Sequence, residues 1–357
     1  MATVPDKIQT WQMTEPGKPL VKTTVDMPEP QPGEVIVEIA GCGVCHTDLS
    51  YYYDGVPTVT KPPLTLGHEI SGTVVGGESS WIGKDVIVPA VMPCNNCAIC
   101  ASGRGNRCLA QKMPGNSMGI YGGFSSHIVV PSVDLCVIND RKGKPLEQFA
   151  VVADAVTSPY QAAMKAGVKP GDYTIVLGAT GGLGVYATQI LAAMGAKEVV
   201  GIARNPQKLE RAMKYGATYT ISTVDKSARD VRDAFRAYSK EKGLPNFGWK
   251  IFEWTGTAAG QEIGLELLSF VGTLVIAGYG MQKNEYQLSR LMGFDADILG
   301  TWGCLPKYYP TVLNMVLDGK VAVEPFIEMR PMSRIQQSFE DVHKGGMDKR
   351  IVLIPDF

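Results

Sequence analysis

The sequence predicts an α/β protein of two domains, one β-rich and one built on a doubly wound parallel sheet. Three observations carry this. The chain has 357 residues, more than one hydrophobic core usually organises. Its first part, to about residue 150, is rich in Gly and Pro and breaks into short apolar runs. From Tyr173 onward, short apolar runs alternate with helical patterns. That alternation is the signature of βαβ units, whose crossovers lay the strands parallel.

In the first region the periodicity predicts strands over residues 34–39, 70–75, 85–88 and 127–130. In the second, TIVL leads into a helix over 186–193, EVVGIA into a helix through Leu209, and YTIS into a charged helix over 231–238. WKIFEWTG, a helix over 261–268 and GTLVIAG follow, so six strands are within reach. The turn-rich stretch 301–306 ends this texture. Helices over 309–317 and 335–343 and the final RIVLI are expected to return to the first domain. The division expected is 1–157 with 305–357 for the β-rich domain and 158–304 for the parallel-sheet domain. There is no sequence repeat and no low-complexity tract.

Thirty-four basic against 35 acidic residues leave a formal charge of −1. This gives no global attraction to nucleic acid or an acidic membrane surface, so a small-molecule partner is expected. MATVPDKIQTWQM lacks the basic and apolar regions of a signal peptide, and no stretch reaches the roughly 18 apolar residues of a membrane span. A soluble cytoplasmic protein is expected. In that reducing setting eight cysteines point to metal binding rather than disulfides.

Cys94, Cys97, Cys100 and Cys108 have the spacing C-x2-C-x2-C-x7-C, which lets a short loop wrap four thiolates around one tetrahedral zinc. Four protein ligands leave no position for substrate, so the site is structural. An iron–sulfur cluster is the competing metal reading, because three cysteines at such spacings also occur in ferredoxin-like runs. A second group is dispersed: Cys45 in GVCHTD, His68 and Glu69 in GHE, and Asp154 in VADAVTSPYQA. Read alone, His68 is as compatible with a hydrogen-bonded structural histidine, and Cys42 with Cys45 forms a C-x-x-C pair that a redox reading would use. Asp48 and Thr47 are equally compatible with helix capping.

TIVLGATGGLG runs from an apolar strand through glycines into the helix VYATQILAAMG. Against the fingerprint G-x-G-x-x-G it matches at Ala179, Gly181 and Gly184, within the turn formed by Gly178, Ala179, Gly181, Gly182, Leu183 and Gly184. Such a turn lets the backbone approach a pyrophosphate at a helix N-terminus. The acidic residue that would accept the adenosine ribose hydroxyls is missing: Ala203 stands there and Arg204 follows. On charge grounds this favours NADP, unless Arg204 is simply solvated.

GVCHTD, GHE, the four-cysteine loop and the glycine turn occur in the order, and at roughly the distances, seen in medium-chain zinc alcohol dehydrogenases, and the resemblance spans nearly the whole chain. It implies a GroES-like catalytic domain with a Rossmann cofactor domain, two zincs per chain, a nicotinamide cofactor and a homodimer or homotetramer. It makes Cys45, His68 and Asp154 the ligands of a catalytic zinc, with Glu69 adjacent or exchanging. Asp154 departs from the cysteine many members carry, but a carboxylate is a proper zinc ligand. Asp48 would orient the histidine, Thr47 would hydrogen-bond the reacting oxygen, and Ser50 stands where some members have a relay histidine. His46 and Arg350 match positions that contact the cofactor pyrophosphate.

The stretches IAGCGVCHTDLSYYYDGVPTVTKPPLTLGHEISGTVV, FEWTGTAAGQEIGLELLSF and LSRLMGFDADILGTWGC resemble the 6-hydroxycyclohex-1-ene-1-carbonyl-CoA dehydrogenases, alicyclic alcohol dehydrogenases of anaerobic benzoyl-CoA degradation. This implies an acyl-CoA thioester as substrate, oxidation of its ring hydroxyl to the 6-oxo compound, and NAD as acceptor. Tyr51, Tyr52 and Tyr53 would then line a pocket or serve packing alone. The rival expectations are a medium-chain dehydrogenase for another cyclic or aryl alcohol and a non-catalytic zinc-binding scaffold.

Overall fold

The computed structural model describes residues 4–357. In chain order the first unit contributes β1 (Lys7–Met13), β2 (Val21–Asp26), β3 (Glu34–Gly43), α1 (His46–Tyr52), β4 (Leu64–Thr65), β5 (Glu69–Gly77), β6 (Asp85–Val88), α2 (Ala98–Ala101), β7 (His127–Pro131) and β8 (Cys136–Val137). After α3 (Thr157–Lys165) come β9 (Tyr173–Leu177), α4 (Gly184–Ala193), β10 (Glu198–Ala203), α5 (Pro206–Lys214), β11 (Tyr219–Ser222) and α6 (Ala228–Glu241). These are followed by β12 (Lys250–Glu253), α7 (Ala258–Leu267), β13 (Thr273–Ile276), α8 (Ser289–Phe294) and β14 (Asp297–Gly300). The chain closes with α9 (Tyr309–Leu317), β15 (Ile327–Pro331), α10 (Ile335–Lys344) and β16 (Arg350–Ile354).

Two compact units result: residues up to Thr157 with Gly303–Leu317 and Val323–Phe357, and Ser158–Trp302 with Asp318–Ala322. The second span differs from the simple two-way division expected. Residues 318–322 stay with the second unit because the buried Gln189 of α4 grips Ala322 from both sides, accepting its N–H at 2.7 Å and donating to its carbonyl at 3.2 Å.

In the first unit β3 is the organising strand. It pairs antiparallel with β5, β7 and β16 in a seven-stranded sheet ordered β15-β16-β3-β5-β6-β8 with β7 on β3. Val35, Val37 and Ile39 of β3 meet Ile70, Val74, Ile128, Val130 and Leu353 in one core. A three-stranded sheet, β2-β1-β4, stands beside it.

The second unit is a six-stranded parallel sheet ordered β11-β10-β9-β12-β13-β14. Because successive side chains of a strand point to opposite faces, its residues divide between two cores. Ile175, Leu177, Val200, Ile202, Ile251 and Leu274 pack with Val231, Phe235 and Ile263 of α6 and α7. Val176, Val199, Phe252 and Val275 pack with Ala162, Ala187 and Leu191 of α3 and α4. A sheet covered on both faces needs continuous apolar strands, and TIVL and EVVGIA are such runs. The helices start at their own signals: Asn205 caps α5 through Lys208 N–H with Pro206 in the first turn, and Ser227 and Asp230 cap α6 reciprocally. The strand order reverses between β9 and β12, the point at which such sheets bind dinucleotides. Among the described residues, no helix is long and apolar enough to cross a membrane.

Candidate active site

The four-cysteine loop leaves Pro93, turns into the short α2 after Cys97 and closes on the buried Cys108. Its sulfurs lie 3.9 Å (Cys94–Cys100), 3.5 Å (Cys97–Cys100), 3.7 Å (Cys97–Cys108) and 3.4 Å (Cys94–Cys108) apart. A tetrahedron with zinc–sulfur bonds of about 2.3 Å has edges of about 3.8 Å, so the loop fits one ion. An iron–sulfur cluster would place its irons and sulfides between the thiolates and spread them further. Hydrogen bonds from the Cys100 backbone and side chain draw the Cys97 thiol down to about 7, toward the thiolate a metal takes.

The second centre is assembled from three separate segments of the first unit. Cys45 precedes α1, His68 lies immediately before β5 and Glu69 opens it, and Asp154 follows the 3₁₀ turn Leu146–Ala153. One donor atom from each of Cys45, His68, Glu69 and Asp154 lies within 4.8 Å of all the others. Cys45 Sγ stands 3.8 Å and His68 Nε2 3.6 Å from Asp154 Oδ2, again the edges of a single-ion polyhedron with sulfur, nitrogen and oxygen donors. No disulfide competes, since Cys42 and Cys45 are both free thiols.

Asp48 holds this geometry. It is buried, its Oδ2 accepts the Cys45 N–H and its Oδ1 the Gly67 N–H, both at 3.0 Å, and Oδ1 lies 3.3 Å from His68 Nδ1. One carboxylate thus fixes the backbone at Cys45 and just before His68 and faces Nδ1 of the histidine, leaving Nε2 toward Asp154 and Cys45. Glu69, within this cluster, is also paired with Arg350, whose Nε and Nη2 donate to its two oxygens at 2.8 and 2.6 Å with both side chains buried. Burial raises Glu69 to about 7, with the Arg350 charge pulling the other way. Gly43, across the β3–β5 ladder, makes room for this carboxylate: a Cβ there would lie 2.0 Å from Glu69 Oε2.

Thr47 Oγ1 lies 3.7 Å from Cys45 Sγ at the start of α1. Ser50 is buried and its hydroxyl donates to the Thr47 carbonyl at 2.8 Å, so it is turned onto its own helix. His46 is exposed on the first turn of α1. Arg350, expected at a pyrophosphate, is engaged with Glu69. Sequence reasoning missed Tyr309. Its buried hydroxyl donates to the Ala153 carbonyl at 2.5 Å and accepts the Ala90 N–H at 3.2 Å, fastening the residue beside Asp154.

In the second unit the glycine turn joins β9 to α4. Gly178 adopts φ +81°, and a Cβ on Gly184 would lie 2.0 Å from the Gly178 carbonyl oxygen, so the close crossing of turn and helix admits only glycine. Ala179 is buried, Gly181 and Gly182 are exposed, Leu183 is half-buried, and Gly181 N–H closes the turn on the Gly178 carbonyl at 2.9 Å. The positive end of the dipole of a helix that opens from such a glycine turn suits a pyrophosphate. The β10 strand ends at Ala203 with Arg204 exposed beyond it.

Residues 31–140 match the family of alcohol dehydrogenase GroES-like domains and residues 182–318 the family of zinc-binding dehydrogenases. The chain is 30% identical over 351 residues to a D-arabinose 1-dehydrogenase (NADP(+)) of Saccharolobus solfataricus, covering 95% of each chain. It is 35% identical over 375 residues to an S-(hydroxymethyl)glutathione dehydrogenase of Synechocystis, covering 95% of this chain and 97% of that one. The crystal structure of an alcohol dehydrogenase from Thermotoga maritima superposes with a TM-score of 0.86 at 23% identity, over 98% of this chain and all of that one (100%).

Proposed function

The chain belongs to the zinc-binding alcohol dehydrogenase family, with its GroES-like and Rossmann-type domains, and from that membership we propose that it oxidises a secondary alicyclic alcohol to the ketone, with 6-hydroxycyclohex-1-ene-1-carbonyl-CoA as substrate and NAD as acceptor. The observation that carries the chemistry is the convergence of Cys45, His68 and Asp154 on one point, a donor set that a structural scaffold with the four-cysteine loop does not need. The sequence stretches around Cys45, Glu253 and Trp302 support the alicyclic substrate.

Cys45, His68 and Asp154 would hold the zinc, which would supply a Lewis acid for the reacting oxygen, and the Gly178–Gly184 turn would hold the pyrophosphate of a nicotinamide dinucleotide, which would supply the hydride acceptor. The chain's own residues do the rest. Asp48 keeps Cys45 and His68 in register. Thr47 would hydrogen-bond the reacting oxygen and, as it takes the alcohol's proton, release its own hydroxyl proton to solvent water. Arg350 keeps the Glu69 carboxylate balanced in a buried setting, where an unpaired charge costs several kcal/mol, on the order of 3–5. The active species is a homodimer or homotetramer.

A second reading, oxidation of a sugar or polyol with NADP, is favoured by the likeness to D-arabinose 1-dehydrogenase (NADP(+)) and by Ala203 with Arg204 at the end of β10. One assay separates the two: initial rates of reduced-cofactor absorbance with the alicyclic hydroxyacyl-CoA, cyclohexanol, benzyl alcohol and D-arabinose, each with NAD and with NADP. A clear preference for the acyl-CoA with NAD is expected, together with two zincs per chain. Turnover confined to arabinose with NADP overturns the substrate, and no turnover with one zinc leaves a scaffold. Asp154→Ala is expected to reduce turnover to background while circular dichroism and the four-cysteine zinc persist. Full activity in that variant removes the site assignment.

A further inference from the structure

Glu253 ends β12, in the middle of the parallel sheet, with no solvent exposure. Its register neighbours on β9 and β13 are Leu177 and Ile276, so packing alone calls for an apolar side chain here. A carboxyl in such a place costs stability unless its oxygens are paired, and only one of them is. Oε1 accepts the N–H of Thr255 at 2.6 Å, the N–H of Gly256 at 3.1 Å and the Thr255 hydroxyl, while Oε2 has no partner among the described residues.

The paired oxygen holds a loop that reaches three strand ends. Thr255 Oγ1 accepts the Thr257 N–H at 3.1 Å, and Thr257 Oγ1 in turn caps α7 through the Gly260 N–H at 3.1 Å. On its other side Thr255 packs on the glycine turn: a Cβ on Gly178 would lie 3.0 Å from Thr255 Cγ2. The Glu253 carbonyl accepts the N–H groups of Ala277 at 3.1 Å and Gly278 at 2.9 Å, and a Cβ on Gly278 would lie 2.9 Å from Glu253 Oε2. The turn after β12 is therefore fastened to the Glu253 carboxyl and packs on the turn after β9 through Thr255, while the turn after β13 is bonded to the Glu253 main chain and lies against the carboxyl's second oxygen, at the strand-order reversal where a dinucleotide binds.

We propose that Glu253 is a positioning residue for the dinucleotide: its carboxyl locks the 254–257 turn, which packs through Thr255 on Gly178, so that the cofactor meets a preformed surface. This rests on the dehydrogenase reading above. Burial keeps the carboxyl above its ordinary pKa, against the pull of the Thr255 and Gly256 hydrogen bonds. The shift is toward the neutral acid, whose shape and accepting oxygen glutamine reproduces.

The test uses the full-length zinc-loaded chain and its Glu253→Gln, Glu253→Ala and Thr255→Val variants. Dinucleotide Kd is measured by calorimetry with NAD and with NADP, alongside kcat, both KM values and zinc content. Because preorganisation acts on binding cost, E253A is expected to raise the dinucleotide Kd and KM roughly 10- to 100-fold, with kcat at saturation and the alcohol KM within about threefold. E253Q is expected to stay within about threefold of the parent throughout, and T255V to raise the dinucleotide Kd roughly 3- to 10-fold. Should E253A not fold, T255V against E253Q carries the same contrast. Parent-like dinucleotide binding in T255V and E253A, or a loss shared equally by kcat and the alcohol KM, overturns the positioning role alone. A parent chain that binds neither dinucleotide overturns the dehydrogenase reading, and the proposal falls with it.

Discussion

Asp48 is a buried carboxylate whose two oxygens each take a backbone N–H at 3.0 Å, from Cys45 and from Gly67, while one of them also faces His68 Nδ1. An asparagine in its place would keep one accepting oxygen and turn an amide N–H₂ against the other donor. Asp48→Asn is therefore expected to misalign Cys45 or His68 and to lower kcat/KM about 10- to 100-fold, the usual cost of losing a partner that orients a metal ligand. Parent-like kcat/KM and zinc affinity in that variant would show that Asp48 is a helix cap and nothing more. The same residues mark what the sequence makes legible. Asp48 three residues after Cys45 reads equally as a cap, and the cap is present in the structure, its carboxylate accepting the Cys45 N–H. Cys45, His68 and Asp154 carry no mutual spacing, since three different loops bring them together; only their order beside the other motifs joins them. Tyr309 was illegible for a different reason: a tyrosine on an apolar helix face looks like packing until its hydroxyl is seen between Ala90 and Ala153.

The elements that could be read ahead of the structure are those whose local pattern is decided by burial on both faces, such as β9, β10 and β13, and those with explicit caps, such as α6 after Ser227. β1 and β2 gave no such signal. In β2, VKTTVD is mostly exposed, and in β1, KIQTWQM, the buried positions include Thr10 and Gln12 as well as Ile8, so apolar alternation is broken although the strands pair in register over six residue pairs. The six-residue α8 and the exposed β14 that follows it likewise lack an apolar stripe. The four-cysteine loop is the opposite case, because its spacing alone specifies its geometry. A metal closing the loop from Cys94 to Cys108, 14 positions apart, acts on the unfolded chain as a cross-link of that length, worth about 3 kcal/mol. Cys100→Ser is thus expected to reduce zinc from two to one per chain and to lower the melting temperature by roughly 6–12 °C, at about 2–4 °C per kcal/mol for a unit of this size. Turnover at low temperature should persist, since this loop supplies no donor to the Cys45 centre. Unchanged zinc content and melting temperature would remove the structural-site assignment.

At the scale of the whole molecule, the two units differ in what stabilises them. The core around β3 contains only residues of the first unit, and the clusters on the two faces of the β9 sheet contain only residues of the second. Both candidate metal-binding clusters belong to the first unit and the glycine turn to the second. Ligands that bind only the folded state stabilise by mass action, about 2.7 kcal/mol at a hundredfold excess over Kd, and amide exchange reports such gains segment by segment. Removing metal with a chelator is therefore expected to speed exchange in residues 93–109, 44–48 and 66–70 and to leave β9 through β13 unchanged. Adding the dinucleotide to the zinc-loaded chain is expected to slow exchange over residues 178–185 and, if Glu253 organises the neighbouring turn, over 254–257 in step with them. Each half of the experiment has its own failure. Chelation that loosens the parallel sheet as much as the cysteine loop contradicts the assignment of both metals to the first unit's fold, whereas a dinucleotide that protects no residue of 178–185 contradicts the role given to the glycine turn.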